Sequence, residues 1–523
     1  MSMARQYITT AIDYPNAAPH MGHVLEKVLA DVCARWMRLR GDEVRFQIGT
    51  DEHGIKIQQT ADKEKITPKA LVDRNVPLFE DLYKRLGISS DVFIRTSDQK
   101  KHWPTVIELW KRLQKAGMLE KRTYTGLYCS GCERFLTKKD LVDGVCDIHK
   151  KPPEEVKEEN YFFLLSKEAV WLKKLLKKDY HIIPAFRENE TLSLIDQGLE
   201  DVSFSRPKSS LAWGIPVPGD EGQTMYVWCD ALTNYISGLD CFGLNEGARH
   251  ERQDGLSRLG VEWWDDATVT HVIGKDIARF HALIWPAMLK HSGVRTPDQL
   301  LIHGFLTSEG QKMSKSTGNV VVPDAVLAKF LGNPDPLRFY LSHEVPVGND
   351  GDFSWKRIEE LYDSKLRNQL GNLLNRVLVL LQKEGGAIVL PKDHAKDTKQ
   401  CSDGWKRYGE SMDSMHVHLG IQQVFELIAT LNSGIDTAKP WTLKGQQKIE
   451  LLGHFAESLR HAALLLLPFI PATAQKISKQ LGVPYAEEML QNGFVISEDM
   501  RTFGGVPSWK TIGTPAILFA PLS

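Results

Sequence analysis

The strongest constraint on the fold is a strand that hands over to a helix near the N-terminus. Gln6-Tyr7-Ile8-Thr9-Thr10-Ala11-Ile12 is β-branched and apolar without proline or glycine, which predicts a buried strand. Asp13 to Pro19 carries turn chemistry, with Pro15, Asn16 and Pro19. Val24, Leu25, Val28, Leu29, Val32, Trp36 and Leu39 then recur at helical spacing until Gly41 ends the run. His20-Met21-Gly22-His23 therefore sits at a helix N-terminus, where unpaired N–H groups favour anions. Gly22 lets a flat group approach the backbone, and the two imidazoles add donors for phosphate oxygens. On its own the tetrad equally describes two capping histidines in a turn.

The rhythm continues. Glu43–Ile48 predicts a second strand, ending in Gly49-Thr50-Asp51-Glu52-His53-Gly54. Thr67-Pro68 opens a helix that closes at Gly87, and Asp91–Ser97 predicts a third strand with a long helix behind it to about Gly117. This alternation implies an α/β fold, a doubly wound parallel Rossmann-like sheet whose ligands sit at the carboxyl ends of its strands. His20, His23 and Asp51 all fall at that edge. We expect a first half of the catalytic domain over 1–117, a connective insertion over 118–224, a second half over 225–299, a loop and stem-contact region over 300–355, and an α-helical bundle over 356–523.

Bulk properties narrow the function less. A chain of 523 residues exceeds one core, and its 25% charged and 42% hydrophobic residues describe a globular protein. A net charge of −1 means that any nucleic-acid surface must be a local patch. The most apolar run, Ala462–Ile470, is far too short to span a bilayer, and no targeting segment is evident, so no membrane partner is expected. Seven cysteines, an odd number, argue for a reducing, cytoplasmic setting.

Four of the ligand-type residues cluster. Cys129-Ser130-Gly131-Cys132 precedes Cys146-Asp147-Ile148-His149, two knuckles that together supply a tetrahedral zinc set. Four occupied positions leave none for water, so a structural Zn²⁺ stapling the insertion is expected.

The order of His20-Met21-Gly22-His23, Gly274-Lys275-Asp276-Ile277 after a later strand, Lys312-Met313-Ser314-Lys315-Ser316 in a polar loop and a closing helical bundle resembles the class I aminoacyl-tRNA synthetases, most closely the methionyl-tRNA synthetase family, over essentially the whole chain. The resemblance implies a methionine–tRNA ligase. Such an enzyme joins L-methionine to ATP, releases pyrophosphate and passes methionyl to the terminal adenosine of tRNA(Met), initiator tRNA included. Its chemistry is in-line attack of a carboxylate on the α-phosphate, where positioning and charge neutralisation carry the rate. The family pattern implies His20, His23, Lys312 and Lys315 as catalytic groups. For ATP it implies His20, Gly22, His23, Gly274, Asp276 and Lys315, with Mg²⁺ as a cofactor. For methionine it implies Ile12, Tyr14, Asp51, Trp228, Ala231, Tyr235, Phe280, His281 and Trp285, a ring-lined cavity suited to a thioether, with Asp51 on the ammonium. For the anticodon it implies Asn372, Arg376 and Trp441, the last as a stacking platform.

Homocysteine lacks one methyl of methionine, a difference worth only ~1–3 kcal/mol in an apolar pocket. The chain is therefore expected to activate homocysteine and clear it at the synthetic site. Thiolactone released from homocysteine and ATP measures this, and none would be released if the expectation is wrong.

Competing readings are open at this point. Synthetases for valine, leucine and isoleucine carry large editing insertions, and the cysteine enzyme places zinc in its amino-acid pocket. A catalytically silent RNA-binding relative would be expected to lose His20, His23 or Lys315. A simple nucleotidylyltransferase has no use for a bundle bearing Trp441. The single knuckle pair and the absence of the C-terminal tRNA-binding extension of some family members make a monomer the expectation.

Overall fold

A computed structural model describes residues 4–129, 134–136, 141–147, 150–245, 256–312, 319–491 and 493–522. Its central sheet contains β1 (Arg5–Thr10), β2 (Glu43–Thr50), β3 (Val92–Arg95), β4 (His181–Ile183), β5 (Thr268–Gly274) and β6 (Gln299–His303). The spatial order is β3-β2-β1-β5-β6-β4, with every neighbouring pair parallel. Strands covered on both faces read as continuous apolar or β-branched runs, and β1 and β5 are buried over nearly their whole length. The chain winds from β1 to β2 and β3 on one side and returns to β5 and β6 on the other. A crevice therefore opens between the carboxyl ends of β1 and β5.

The expected elements of the first 117 residues are present, with one addition. Helix α1 (Met21–Leu39) follows β1, and after β2 comes a short polar helix α2 (Ile55–Glu64) that the apolar periodicity did not announce. Helix α3 (Pro68–Arg85) starts on Thr67, whose hydroxyl accepts from the Ala70 N–H at 3.2 Å, and α4 (Trp103–Lys115) precedes the insertion.

The insertion is built on a long antiparallel ribbon, Leu119–Cys129 against Glu154–Phe163. It is not wholly separate from the sheet. β4 lies inside the stretch assigned to the insertion, yet it pairs with Gln299–Leu301 as the outer strand of the main sheet. Three residues are too few to show a pattern in sequence.

Helices Ala395–Asp413, Val417–Ala438, Gly445–Leu466 and Pro471–Leu481 form the bundle with a continuous helical segment from Trp355 to Lys383, whose middle, Tyr362–Gly371, is π-helical. One apolar core runs from α1 into this bundle. Trp36 of α1 packs edge-on against Tyr408, its ring centroid 5.2 Å away, and its indole donates to Asp413 at 2.7 Å. The fully buried Arg338 pairs with Asp31 of α1 at 2.7 Å and donates to the Phe469 and Pro468 carbonyls. A buried guanidinium persists only when its donors are met, so this joint has one geometry. Among the described residues no helix is long and apolar enough to cross a membrane.

Candidate active site

The histidine tetrad forms a capping box. His20 is the N-cap of α1 and its Nδ1 accepts from the Gly22 N–H at 3.1 Å, while His23 Nδ1 accepts from the His20 N–H at 3.1 Å. A spacing of three suits this reciprocal arrangement, in which two orphan donors are met. The rings stack with centroids 3.8 Å apart. A side chain on Gly22 would come within 3.0 Å of the His20 ring, which is why glycine stands there. Burial first, then the His20 and Lys27 charges, holds His23 well below the usual imidazole range. Its proton therefore sits on Nε2, because Nδ1 is an acceptor.

Beneath the box lies a buried charge network. The Lys27 ammonium donates to the Ala11 carbonyl at 2.9 Å, Asp13 Oδ1 at 2.8 Å and Glu26 Oε1 at 2.9 Å. Tyr83 donates to Asp13 Oδ2 at 2.6 Å, and His303 Nε2 lies 3.2 Å from Glu26 Oε2. The network ties the turn after β1 to α1 and to the end of β6, three of the sites where the crevice walls begin.

On the other wall the aromatic residues gather. Ile12 lies over Gly49, and Asp13 and Thr50 bridge, so the Asp51 N–H donates to the Asp13 carbonyl at 2.8 Å and the two chain segments run side by side. The Tyr14 hydroxyl donates to the His53 carbonyl at 2.8 Å. Trp228 stacks on Phe280 at 3.6 Å with the planes 11° apart. Behind them Ala231, Tyr235, His281 and Trp285 are buried. His281 Nδ1 donates to the Ile277 carbonyl at 3.0 Å, leaving Nε2 to accept from the Tyr235 hydroxyl at 2.6 Å. Burial holds His281 down to about 4, so it is neutral. Trp285 donates its indole N–H to His271 Nε2 at 3.1 Å, and His271 Nδ1 therefore donates to the Thr9 hydroxyl at 2.7 Å. Trp285 is fully buried.

At the mouth of β5, Gly274 is buried and Asp276 is exposed. A Cβ on Gly274 would fall 2.8 Å from Asp276 Oδ1 and 3.6 Å from the His303 ring, so the backbone there is open to a flat ligand only with glycine. Lys275 is committed to Asp350 at 2.6 Å. Gln311–Lys312 is a short strand, but the Lys312 side chain and all of Lys315 lie outside the described residues.

Cys132 and His149 also lie outside them. Cys129 and Cys146 are both buried in one small cluster with Leu136 and Leu141. The backbone turns tightly around Cys146, with Gly144 at φ 78° and the Lys150 N–H donating to the Cys146 carbonyl at 2.7 Å. Two thiols brought into one cluster, Cys146 on such a turn and Cys129 at a strand end, fit half of a zinc knuckle pair. In the bundle, Asn372 is exposed, Arg376 pairs with Asp436 at 2.6 Å, and its guanidinium lies 5.6 Å from the Trp441 ring centroid. Trp441 is 49% exposed, a cation beside an open aromatic face rather than a core residue.

A family model described as "tRNA synthetases class I (M)" matches residues 6–140 and 137–378. The chain belongs to this family of class I (M) tRNA synthetases. It is 37% identical over 497 residues to the methionine–tRNA ligase of Mesorhizobium japonicum, covering 92% of each chain. It is 38% identical over 520 residues to the methionine–tRNA ligase of Synechocystis sp., covering 97% of this chain and 94% of that one. The solved structure of Mycobacterium tuberculosis methionyl-tRNA synthetase in complex with methionyl-adenylate is similar with a TM-score of 0.86 at 35% identity, covering 99% of this chain and 100% of that one.

Sequence reasoning about this synthetase passed over several groups at the crevice. Lys27, His53, His102, Asp230, His271 and His303 make the buried polar contacts that hold its walls. His53 lies within the Gly49–Gly54 segment and Asp230 between Trp228 and Ala231, so both stood beside residues already singled out; Lys27, His102, His271 and His303 had no local mark.

Proposed function

We propose that this synthetase is a methionine–tRNA ligase, which forms methionyl-adenylate from L-methionine and ATP and transfers methionyl to tRNA(Met), initiator tRNA included. The observation that carries the reading is the histidine capping box at the switch point. Both Nδ1 atoms accept from backbone N–H groups, so each neutral ring carries its proton on Nε2, the donor that this reading gives to an anion at the α1 N-terminus.

The chemistry follows from that tautomer. The methionine carboxylate attacks the α-phosphorus of ATP in line, the bond to the bridging oxygen breaks, and pyrophosphate leaves with the electron pair. His20 and His23 donate to the phosphate oxygens as charge builds, with no proton transfer required of them. Lys312 and Lys315 close over the leaving pyrophosphate, and Asp276 holds the ribose hydroxyls beside Gly274. Mg²⁺ would supply further charge neutralisation to the phosphates. On the amino-acid side, Asp51 takes the ammonium while Ile12, Tyr14, Ala231 and Tyr235 surround the side chain. The Trp228–Phe280 stack closes the cavity, backed by His281 and Trp285.

In the bundle, Asn372 and Arg376 read base edges and Trp441 stacks an unpaired anticodon base. The same reading treats the chain as a cytoplasmic monomer with insertion 118–224 and bundle 356–523. ATP–pyrophosphate exchange with each amino acid tests it: exchange with methionine is expected, and exchange with valine or cysteine in its place would overturn it.

Zinc would be held by Cys129, Cys132, Cys146 and His149 and would staple the insertion. Metal analysis is expected to return about one zinc per chain. Chelation should expose the 119–163 ribbon to protease; an unchanged digest after complete zinc removal would count against a structural role.

A further inference from the structure

A second buried polar unit touches both walls of the amino-acid pocket. His53 Nδ1 lies 2.6 Å from Asp230 Oδ2, and His102 Nε2 lies 2.6 Å from Asp230 Oδ1. His102 Nδ1 is 2.7 Å from the Ser237 hydroxyl. All four residues are buried. Asp230 stands between Trp228 and Ala231 in the chain, and His53 stands two residues after Asp51, so one carboxylate clamps the ammonium side of the pocket to its aromatic side.

The hydrogen bonds fix the protons. A carboxylate only accepts, so His53 donates from Nδ1 and His102 from Nε2, while the Ser237 hydroxyl, 2.7 Å from His102 Nδ1, donates to the Asn234 carbonyl at 3.3 Å. With Nδ1–H committed, a neutral His53 carries a lone pair on Nε2, the arrangement by which an aspartate orients a histidine in hydrolase triads. Among the described residues that buried Nε2 makes no hydrogen bond. The His53 ring packs against the Trp213 and Trp103 rings, with centroids 5.3 Å and 5.9 Å apart, while the Tyr14 hydroxyl donates to the His53 carbonyl. A buried acceptor left without a donor is costly, and the pocket's substrate brings donors.

We propose that His53 is a second acceptor for the α-ammonium of the amino-acid substrate, beside Asp51, and that Asp230 and His102 are positioning residues that fix its tautomer. Asp51 then neutralises the charge, and His53 takes a further N–H, which discriminates an amine from any group that cannot donate there. The proposal rests on reading this pocket as the methionine site.

Two competitors of methionine separate an ammonium contact from general pocket integrity. L-Methioninol keeps the amine and lacks the carboxylate; 4-(methylthio)butanoate keeps the carboxylate and lacks the amine. His53→Phe retains a flat ring without the lone pair. It should weaken methioninol roughly ten- to a hundred-fold as an inhibitor of exchange, with 4-(methylthio)butanoate and the KM for ATP nearly unmoved. His53→Gln, whose amide can donate to Asp230 and accept from the ammonium, should recover most of the loss. If His53→Phe does not fold, Asp230→Ala carries the same test, because it frees the tautomer. Equal losses for both competitors, or no loss for either, would overturn the proposal. A wild-type chain that methionine and methioninol both fail to engage would overturn the methionine reading itself, and this proposal with it.

Discussion

Lys27→Met is expected to destabilise the protein by ~3–5 kcal/mol at pH 7.5, the scale for removing one partner of a buried ion pair. Lys27 is 0% exposed, and all three of its ammonium protons are used. Burial works against its charge, but Asp13 and Glu26 hold it ionised. Methionine keeps the length of the stem and removes the charge, so the loss measures electrostatics more than packing. Asp13 gives the loss a pH signature. Burial pushes its carboxyl up to about 6, Lys27 opposing and Glu26 adding to the rise. A carboxyl whose folded pKa lies above its unfolded value favours the fold when protonated. The cost of its charge is complete above about 6 and fades as pH falls toward the ordinary carboxylate range. Without Lys27 that pressure grows. The deficit in melting midpoint against the wild type, at one scan rate, should therefore be large at pH 7.5 and smaller at pH 5.5. An equal deficit at both would show that the network's charges are not what Lys27 supports.

The same residue shows what could be read from sequence and what could not. β1, β2 and β5 were legible because strands covered on both faces need apolar or β-branched residues throughout. Thr67 and Gly41 marked helix ends by their own backbone chemistry. β4 was not legible, since three residues carry no period, and α2 was not, since only Ile57 and Ala61 of it are buried. At the site, the tetrad and the Gly49–Gly54 segment announced themselves through local turns. Lys27 did not, because a lysine in a helix ordinarily faces water and nothing adjacent reveals that Asp13 waits below it. Asp230 and His271 find partners 177 and 262 positions away, a pairing that only the closed sheet defines. Trp441 was marked only by the family resemblance, and its exposure and its nearness to Arg376 depend on how the chain folds back across the bundle.

His23→Ala is expected to slow adenylate formation by ~10²–10³-fold, the range for losing one preorganised donor to a developing oxyanion. The neutral ring has a single proton, on Nε2, because Nδ1 accepts from the His20 N–H. Alanine removes that donor and also half of the capping box, worth ~0.5–2 kcal/mol of stability. α1 survives this, since its length and its buried face from Val24 to Leu39 anchor it in the core. The two effects are separable. His23→Asn restores a short acceptor for the cap without reaching the phosphate, so the melting midpoint should return toward wild type while the exchange rate stays low. tRNA binding, which the proposed function places on the bundle at the far end of α1 from His23, should change less than about three-fold, since distant sites couple weakly. Recovery of the rate in His23→Asn, or loss of tRNA binding in step with exchange, would mean that the ring acts by holding α1 in place and not on the phosphate.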